Sequence, residues 1–143
     1  MTQEEKQLLL KDLCARLPYG VKVLYWHPTS GGAERRIGEL VNVDLRLNCA
    51  QLLFRIDKYY FESDSVNTSK PYLRPMSSMT EEERKYYIHL LNLAKSDRIV
   101  LSGLGTSGAI DIIDYLISHH FDYRGLIPMG LALEAPEGMY KTE

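Results

Sequence analysis

Lys70 to Glu83, reading Lys-Pro-Tyr-Leu-Arg-Pro-Met-Ser-Ser-Met-Thr-Glu-Glu-Glu, divides the chain into two kinds of sequence. Strand-like residues precede it and helix-like residues follow. Proline cannot donate a ladder hydrogen bond, so Pro71 and Pro75 confine this segment to an edge strand or an extended crossing. Thr80 with Glu83 has the capping-box spacing, in which each side chain satisfies the other residue's free N–H. Glu81 and Glu82 add negative charge at the positive end of the helix dipole. A helix therefore starts at Glu81.

The segments on either side are read from their periodicity. Thr2 and Glu5 form a second capping box, and Leu9, Leu10, Leu13, Cys14 and Leu17 recur at helical spacing until Pro18 stops the helix. Val21 to Trp26 alternates as a strand, with Val21, Val23 and Tyr25 on one face and Lys22, Leu24 and Trp26 on the other. His27 to Ala33 holds the strongest turn formers and reads as an exposed loop. Arg36 to Leu47 is the clearest strand, with Val41, Val43, Leu45 and Leu47 inward and Gly38 placed for a bulge or bend. Leu52, Phe54 and Ile56 form the buried face of the next strand. Asp57-Lys58 turns the chain into a short strand over Tyr59 to Glu62, followed by a polar loop to Ser69.

Beyond Glu81 the expected helix runs to Ala94 and ends at Ser96-Asp97. Arg98 to Leu101 is a short apolar, strand-like run, and Ser102 to Gly108 a glycine-rich loop. Ala109 to His119 is a helix with Ile110, Ile113, Leu116 and Ile117 inward. Gly125 to Leu133 reads as a packed turn and return segment, and Glu134 to Glu143 as a loosely ordered polar tail.

These elements predict one α+β domain over 1–143: an N-terminal helix (1–17), an antiparallel β part (18–76), a helical part (77–135) and a polar tail (136–143). Four or five short strands closed by Pro71 to Arg74 are the pattern of a small SH3-like barrel, with a strongly bent open sheet as the alternative. Three to four helices pack against it. The 143 residues, 45% hydrophobic and 25% charged, suit a single folded core. Ten Tyr against three Phe favour rings that are half-buried.

Composition also limits function. No secretory leader and no long apolar run is read, so the expected location is cytoplasmic, without membrane contact. Cys14 and Cys49 lack metal-ligand spacing and read as buried free thiols. Residues 16 to 75 carry nine Lys/Arg and six Asp/Glu, a mild +3, while the whole chain is at −2. A dedicated nucleic-acid binder would be far more basic.

Three stretches look familiar: Leu17-Pro18-Tyr19-Gly20-Val21-Lys22-Val23, Lys70 to Glu83, and His119-His120-Phe121-Asp122-Tyr123-Arg124-Gly125-Leu126-Ile127 continuing through Gly130-Leu131-Ala132-Leu133-Glu134-Ala135. They resemble a family of small uncharacterised proteins encoded by Bacteroidetes and their phages and prophages. The resemblance implies an origin in a mobile element of a gut bacterium and carries no activity. Pro128-Met129 departs from the charged pair expected in that pattern.

The chemistry-bearing candidates are few. Gly103, Gly105 and Gly108 match G-x-G-x-x-G between an apolar run and a helix, the setting of a dinucleotide fingerprint. Too little chain follows to complete a doubly wound sheet, which leaves an anion-binding loop at a helix start as the weaker use. His119 and His120 are adjacent, about 100° apart on a helix, and cannot chelate one metal together. One imidazole suits the helix C-terminus and the other a place beside Phe121. No nucleophile elbow is present, and Asp111 with Asp114 lacks a partner acid. No catalytic residue, metal site or cofactor is expected.

A surface is the better candidate. Tyr25, Trp26, Tyr59, Tyr60 and Tyr72 offer stacking rings, and Arg35, Arg36, Arg55, Lys58 and Arg74 could meet phosphates or acidic groups. The plainer account places half of these rings in the core and the arginines in solvent. The reading preferred from sequence is a non-enzymatic binding or adaptor protein acting through protein contacts or self-association. A weak nucleic-acid-binding module using the basic β half is the first alternative, and an enzyme or nucleotide binder at Gly103–Gly108 the second.

Overall fold

Thr2 sits extended ahead of the first helix, its hydroxyl accepting from Glu5 N–H while Glu5 Oε2 accepts from Thr2 N–H. This box opens α1, Gln3–Arg16. The computed structural model describes residues 1–45, 50–100 and 106–140, without the side chains of 96–100, 106 and 107. Pro18 lies in a single 3-10 turn, Leu17–Tyr19, and Gly20 takes the left-handed conformation that turns the chain into the sheet.

The strands are β1 (Lys22–Thr29), β2 (Gly32–Asp44), β3 (Gln51–Arg55), β4 (Phe61–Ser65), β5 (Lys70–Leu73) and β6 (Leu133–Glu134). They form one mixed sheet in the order β4-β3-β2-β1-β5-β6. All pairs are antiparallel except β5 with β6. The backbone ladder does not close into a barrel, because β4 and β6 remain edges. The sheet nevertheless curls until β4 reaches back to β1, where Trp26 N–H donates to Asp64 Oδ2 at 3.0 Å. Gly38 permits the curl, since a Cβ there would stand 2.8 Å from Phe54 Cβ.

Inside the curl lie Val23, Tyr25, Leu40, Leu52, Phe54 and Leu73, covered by Leu9 and Leu13 of α1 and by Leu126, Leu131 and Ala132 of the return segment. Tyr25 stacks on Phe54 with ring centroids 4.2 Å apart. One ion pair is sealed in beside them: Asp12 and Arg16 are both fully buried at 2.7 Å, and Arg16 Nη2 also donates to Phe121 O.

Several sequence expectations are corrected. His27 to Ala33 is not a long loop: β1 and β2 run to Thr29 and Gly32, leaving Ser30-Gly31 as a two-residue turn. The bulge falls between Leu40 and Asn42 rather than at Gly38, so Leu40 is buried, Val41 is only half-buried and Leu45 is exposed. Leu47 and Cys49 lie outside the described residues, and Cys14 is exposed rather than buried. Ile56 has left β3 and is exposed. The segment after Glu62 is strand to Ser65 and then a 3-10 turn, Val66–Thr68.

The helical part departs further. α2 spans Glu81–Val100, so Ser96-Asp97 does not end it and Arg98 to Val100 is helix rather than strand. α3 spans Thr106–Ser118, with Ile110 and Ile113 exposed rather than inward. The tail is packed as far as Tyr140. Ala135 N–H donates to Leu73 O, while Tyr140 OH donates to Tyr72 O and accepts from Lys22 N–H. No helix among the described residues is long and apolar enough to cross a membrane.

Candidate functional site

The residues singled out from sequence separate into three environments. Tyr25 is core, and Arg36 points with it to the inner face, since Tyr25 and Arg36 are direct cross-strand partners. Arg74 belongs to the joint between sheet and helices. Trp26, Arg35 and Arg55 stand on the outer face of the sheet, and Tyr72, half-buried between the inward Pro71 and Leu73, shares it.

The joint is the pivot segment folded. The Thr80–Glu83 capping box forms, with both reciprocal hydrogen bonds present. Arg74 grips Glu83 through two bonds of 2.8 and 2.7 Å and lays its guanidinium 4.2 Å from the Phe121 ring centre. The Arg74 guanidinium, opposed by burial, holds the Glu83 carboxyl down at about 2. Its backbone bridges His120 and Asp122. The Arg74 charge is thus committed to structure.

His119 Nδ1 lies 3.0 Å from Tyr115 O at the end of α3, as expected of a helix-terminal imidazole. His120 is stacked on Tyr140 at 3.8 Å rather than packed beside Phe121, with φ at 63°. Burial, aided by the nearby Arg16 charge, pulls its pKa down to about 4, so this ring is neutral.

A second polar cluster was not foreseen. Glu62 is almost wholly buried and accepts from Tyr25 OH, from Tyr60 OH at 3.0 Å and from Arg36 Nη1 at 2.7 Å, with His27 Nδ1 at 2.8 Å. Burial opposes its ionisation, but the three donors outweigh that and keep the carboxyl below the usual range. The same carboxylate, after burial itself, drives the Tyr25 phenol far above its ordinary value. The cluster sews β4 to β1 across the gap that the backbone leaves open. Its sequence signal is a charged residue at an inward position, with Phe61 and Ser63 outward on either side.

The outer face differs in character. Register places Leu24 beside Ile37, Trp26 beside Arg35, and Glu39, Arg55 and Phe61 in one cross-strand row. Trp26, Ile37 and Phe61 are all exposed. Arg35 lies over the Trp26 ring at 4.9 Å, a cation–π contact worth about 0.5–1 kcal/mol at an exposed site. Lys22, Arg35, Arg55 and Lys70 stand on this face with the acids Glu39 and, past the bulge, Asp44. A groove of about 280 Å³ runs beside the stack, lined by Leu24, Trp26, Arg35, Asn67, Thr68 and Lys70 among others. Tyr59, the most exposed ring, and Lys58 sit together at the β3–β4 turn.

The glycine motif does not reach this face. Gly103 and Gly105 lie outside the described residues. Gly108 has a packing role, since a Cβ there would stand 2.7 Å from Ala94 Cα, where α2 and α3 touch. Among the described residues no group of three His, Cys, Asp or Glu side chains is placed to hold a metal ion. Comparison with protein-family models, with curated proteins and with solved structures finds no match.

Proposed function

We propose that the chain is a non-enzymatic binding module that holds an acidic, apolar-anchored protein segment against the outer face of its sheet. The observation that carries this reading is the Arg35–Trp26 stack beside Lys70, on the face where Ile37 and Phe61 are exposed. Exposed aromatic and aliphatic side chains supply area, and the basic side chains between them select negative partners. On this reading the curled sheet is the body of a small SH3-like barrel, its seam held by side chains. The resemblance to phage and prophage proteins makes the partner a host or phage protein met in the cytoplasm.

Single-stranded nucleic acid is the second reading, favoured by the same stacked pair. Four basic residues interrupted by Glu39 make a thin track for a phosphate backbone, and Ile37 has no role in one.

Selection from a random-peptide library on the immobilised full chain tests the first reading. The expected winners carry Asp or Glu beside apolar residues and lose binding to Arg35→Glu. Winners without acidic bias, or winners that bind Arg35→Glu equally well, overturn it.

A further inference from the structure

α2 and α3 face one another through one stripe each. Tyr86 and Tyr115 rings meet at 4.9 Å, Tyr115 OH reaches Glu83 O, and Gly108 abuts Ala94. One flank of this hairpin is a groove lined by Tyr86, His89, Leu93, Asp111, Asp114 and Tyr115. At about 100° per residue, Ile88 and Ile113 each stand roughly 140–150° from their contact stripe, turned to the side away from the groove. Ile110 stands further round the back of α3, on the side of Asp114. Ile88, Ile110 and Ile113 are 48%, 55% and 41% exposed, and no other described segment covers them.

We propose that the side bearing Ile88 and Ile113 is a homodimer interface in which α2 pairs antiparallel with α2 of a second copy, about a two-fold axis at Ile88. The spacing of charges selects this occupant. Glu81, Ile88 and Lys95 follow one another at intervals of seven, so they share one stripe, and all three are exposed. A two-fold axis at Ile88 sets Glu81 of each copy against Lys95 of the other, which gives two identical ion pairs flanking an Ile88–Ile88 contact. An unrelated partner would impose no such symmetry.

The area agrees with a weak dimer. Ile88 and Ile113 with half-buried Leu91 offer on the order of 200 Å² of apolar surface per copy, or about 600 Å² in total at the ~65% apolar share of homodimers. That lies well below the ~1,200 Å² of standard interfaces, so association is weak and concentration-dependent. The inference is independent of the sheet face and survives its failure.

Sedimentation velocity on the full chain up to about 200 µM tests it, because a weak dimer forms only at high concentration. The wild type is expected to shift from monomer to dimer across the series. Glu81→Lys alone and Lys95→Glu alone each weaken association about tenfold or more through two like-charge pairs. An equimolar mixture of these two variants restores the dimer, because each then meets its opposite. Ile88→Ser with Ile113→Ser gives a monomer that keeps its helical circular dichroism at 25 °C, both side chains being partly exposed in the single copy. A wild type that stays monomeric throughout, or a dimer indifferent to both charge reversals, overturns the proposal.

Discussion

Replacing Glu83 by Gln isolates one charge at the joint between sheet and helices. Gln keeps the shape and can still close the capping box with Thr80, so the loss is confined to the pairing with Arg74. The wild-type carboxyl stands at about 2 in the folded chain against an ordinary 4.5. At about 1.4 kcal/mol per pH unit that difference is about 3 kcal/mol of stability. The Glu83 and Arg74 side chains are 9% and 11% exposed, so residual screening reduces it to about 2 kcal/mol. The sign follows from a depressed folded-state value: the contribution is complete above pH 4.5 and is lost as pH falls from there towards 2. Urea unfolding followed by circular dichroism should show the Gln variant with its midpoint about 1 M lower at pH 7, for a slope of ~2 kcal/mol per M. The gap should shrink as pH falls below 4.5. A midpoint within about 0.2 M of wild type at pH 7, or a gap unchanged at pH 3.5, would refute the argument.

Three further outcomes follow from the packing. Gly108→Val drives a side chain into Ala94 Cα and should cost about 1–3 kcal/mol, with a fall in helical ellipticity on heating; a neutral result contradicts the contact. Asp12→Ala strands the fully buried Arg16 charge and should cost about 3–5 kcal/mol in denaturant unfolding, several-fold more than removing an exposed acid such as Glu4. Tyr140 is pushed up to about 12 by burial, so the stability it lends is complete below pH 10 and is lost as pH rises from 10 to 12. Tyr140→Phe should flatten that alkaline decline and cost about 1–2 kcal/mol at pH 7, since Lys22 N–H and Tyr72 C=O lose their partner.

Local rules made the start of each half of the fold legible. Thr2 with Glu5, Pro18 with Gly20, and Thr80 with Glu83 all act within a few residues, and each does what its spacing predicts. The failures are of two kinds. Periodicity counts fail where the chain slips phase: the bulge at Leu40–Asn42 reverses which side of β2 faces inward, and the apolar run at Arg98 to Val100 simply extends α2. Composition fails where a destination is set from afar. Arg74 and Arg35 look alike in sequence, yet one is paired with Glu83 under Phe121 and the other is free over Trp26. Tyr25 and Trp26 are neighbours on opposite faces, so one is core and the other surface. Besides Tyr60, Glu62 meets Arg36, His27 and Tyr25, all 26 or more positions away, and no local spacing marks that meeting.

The isoleucines of α3 show a related limit. Helical spacing correctly put Ile110 and Ile113 on one stripe with Leu116 and Ile117. Only the C-terminal end of that stripe reaches the body of the fold, and the rest stays exposed.

Trp26 is the only tryptophan in the chain and stands at the centre of the proposed binding face, so its emission reports on that face alone. The decisive measurement is a titration of the full chain with a library-selected acidic peptide, and separately with a short oligothymidylate, at low and at physiological salt. The account predicts a saturable change in Trp26 emission with the peptide, lost in Arg35→Glu and only modestly weakened by salt. No response to the peptide, or a saturable response to the oligonucleotide that falls steeply with salt, would contradict it.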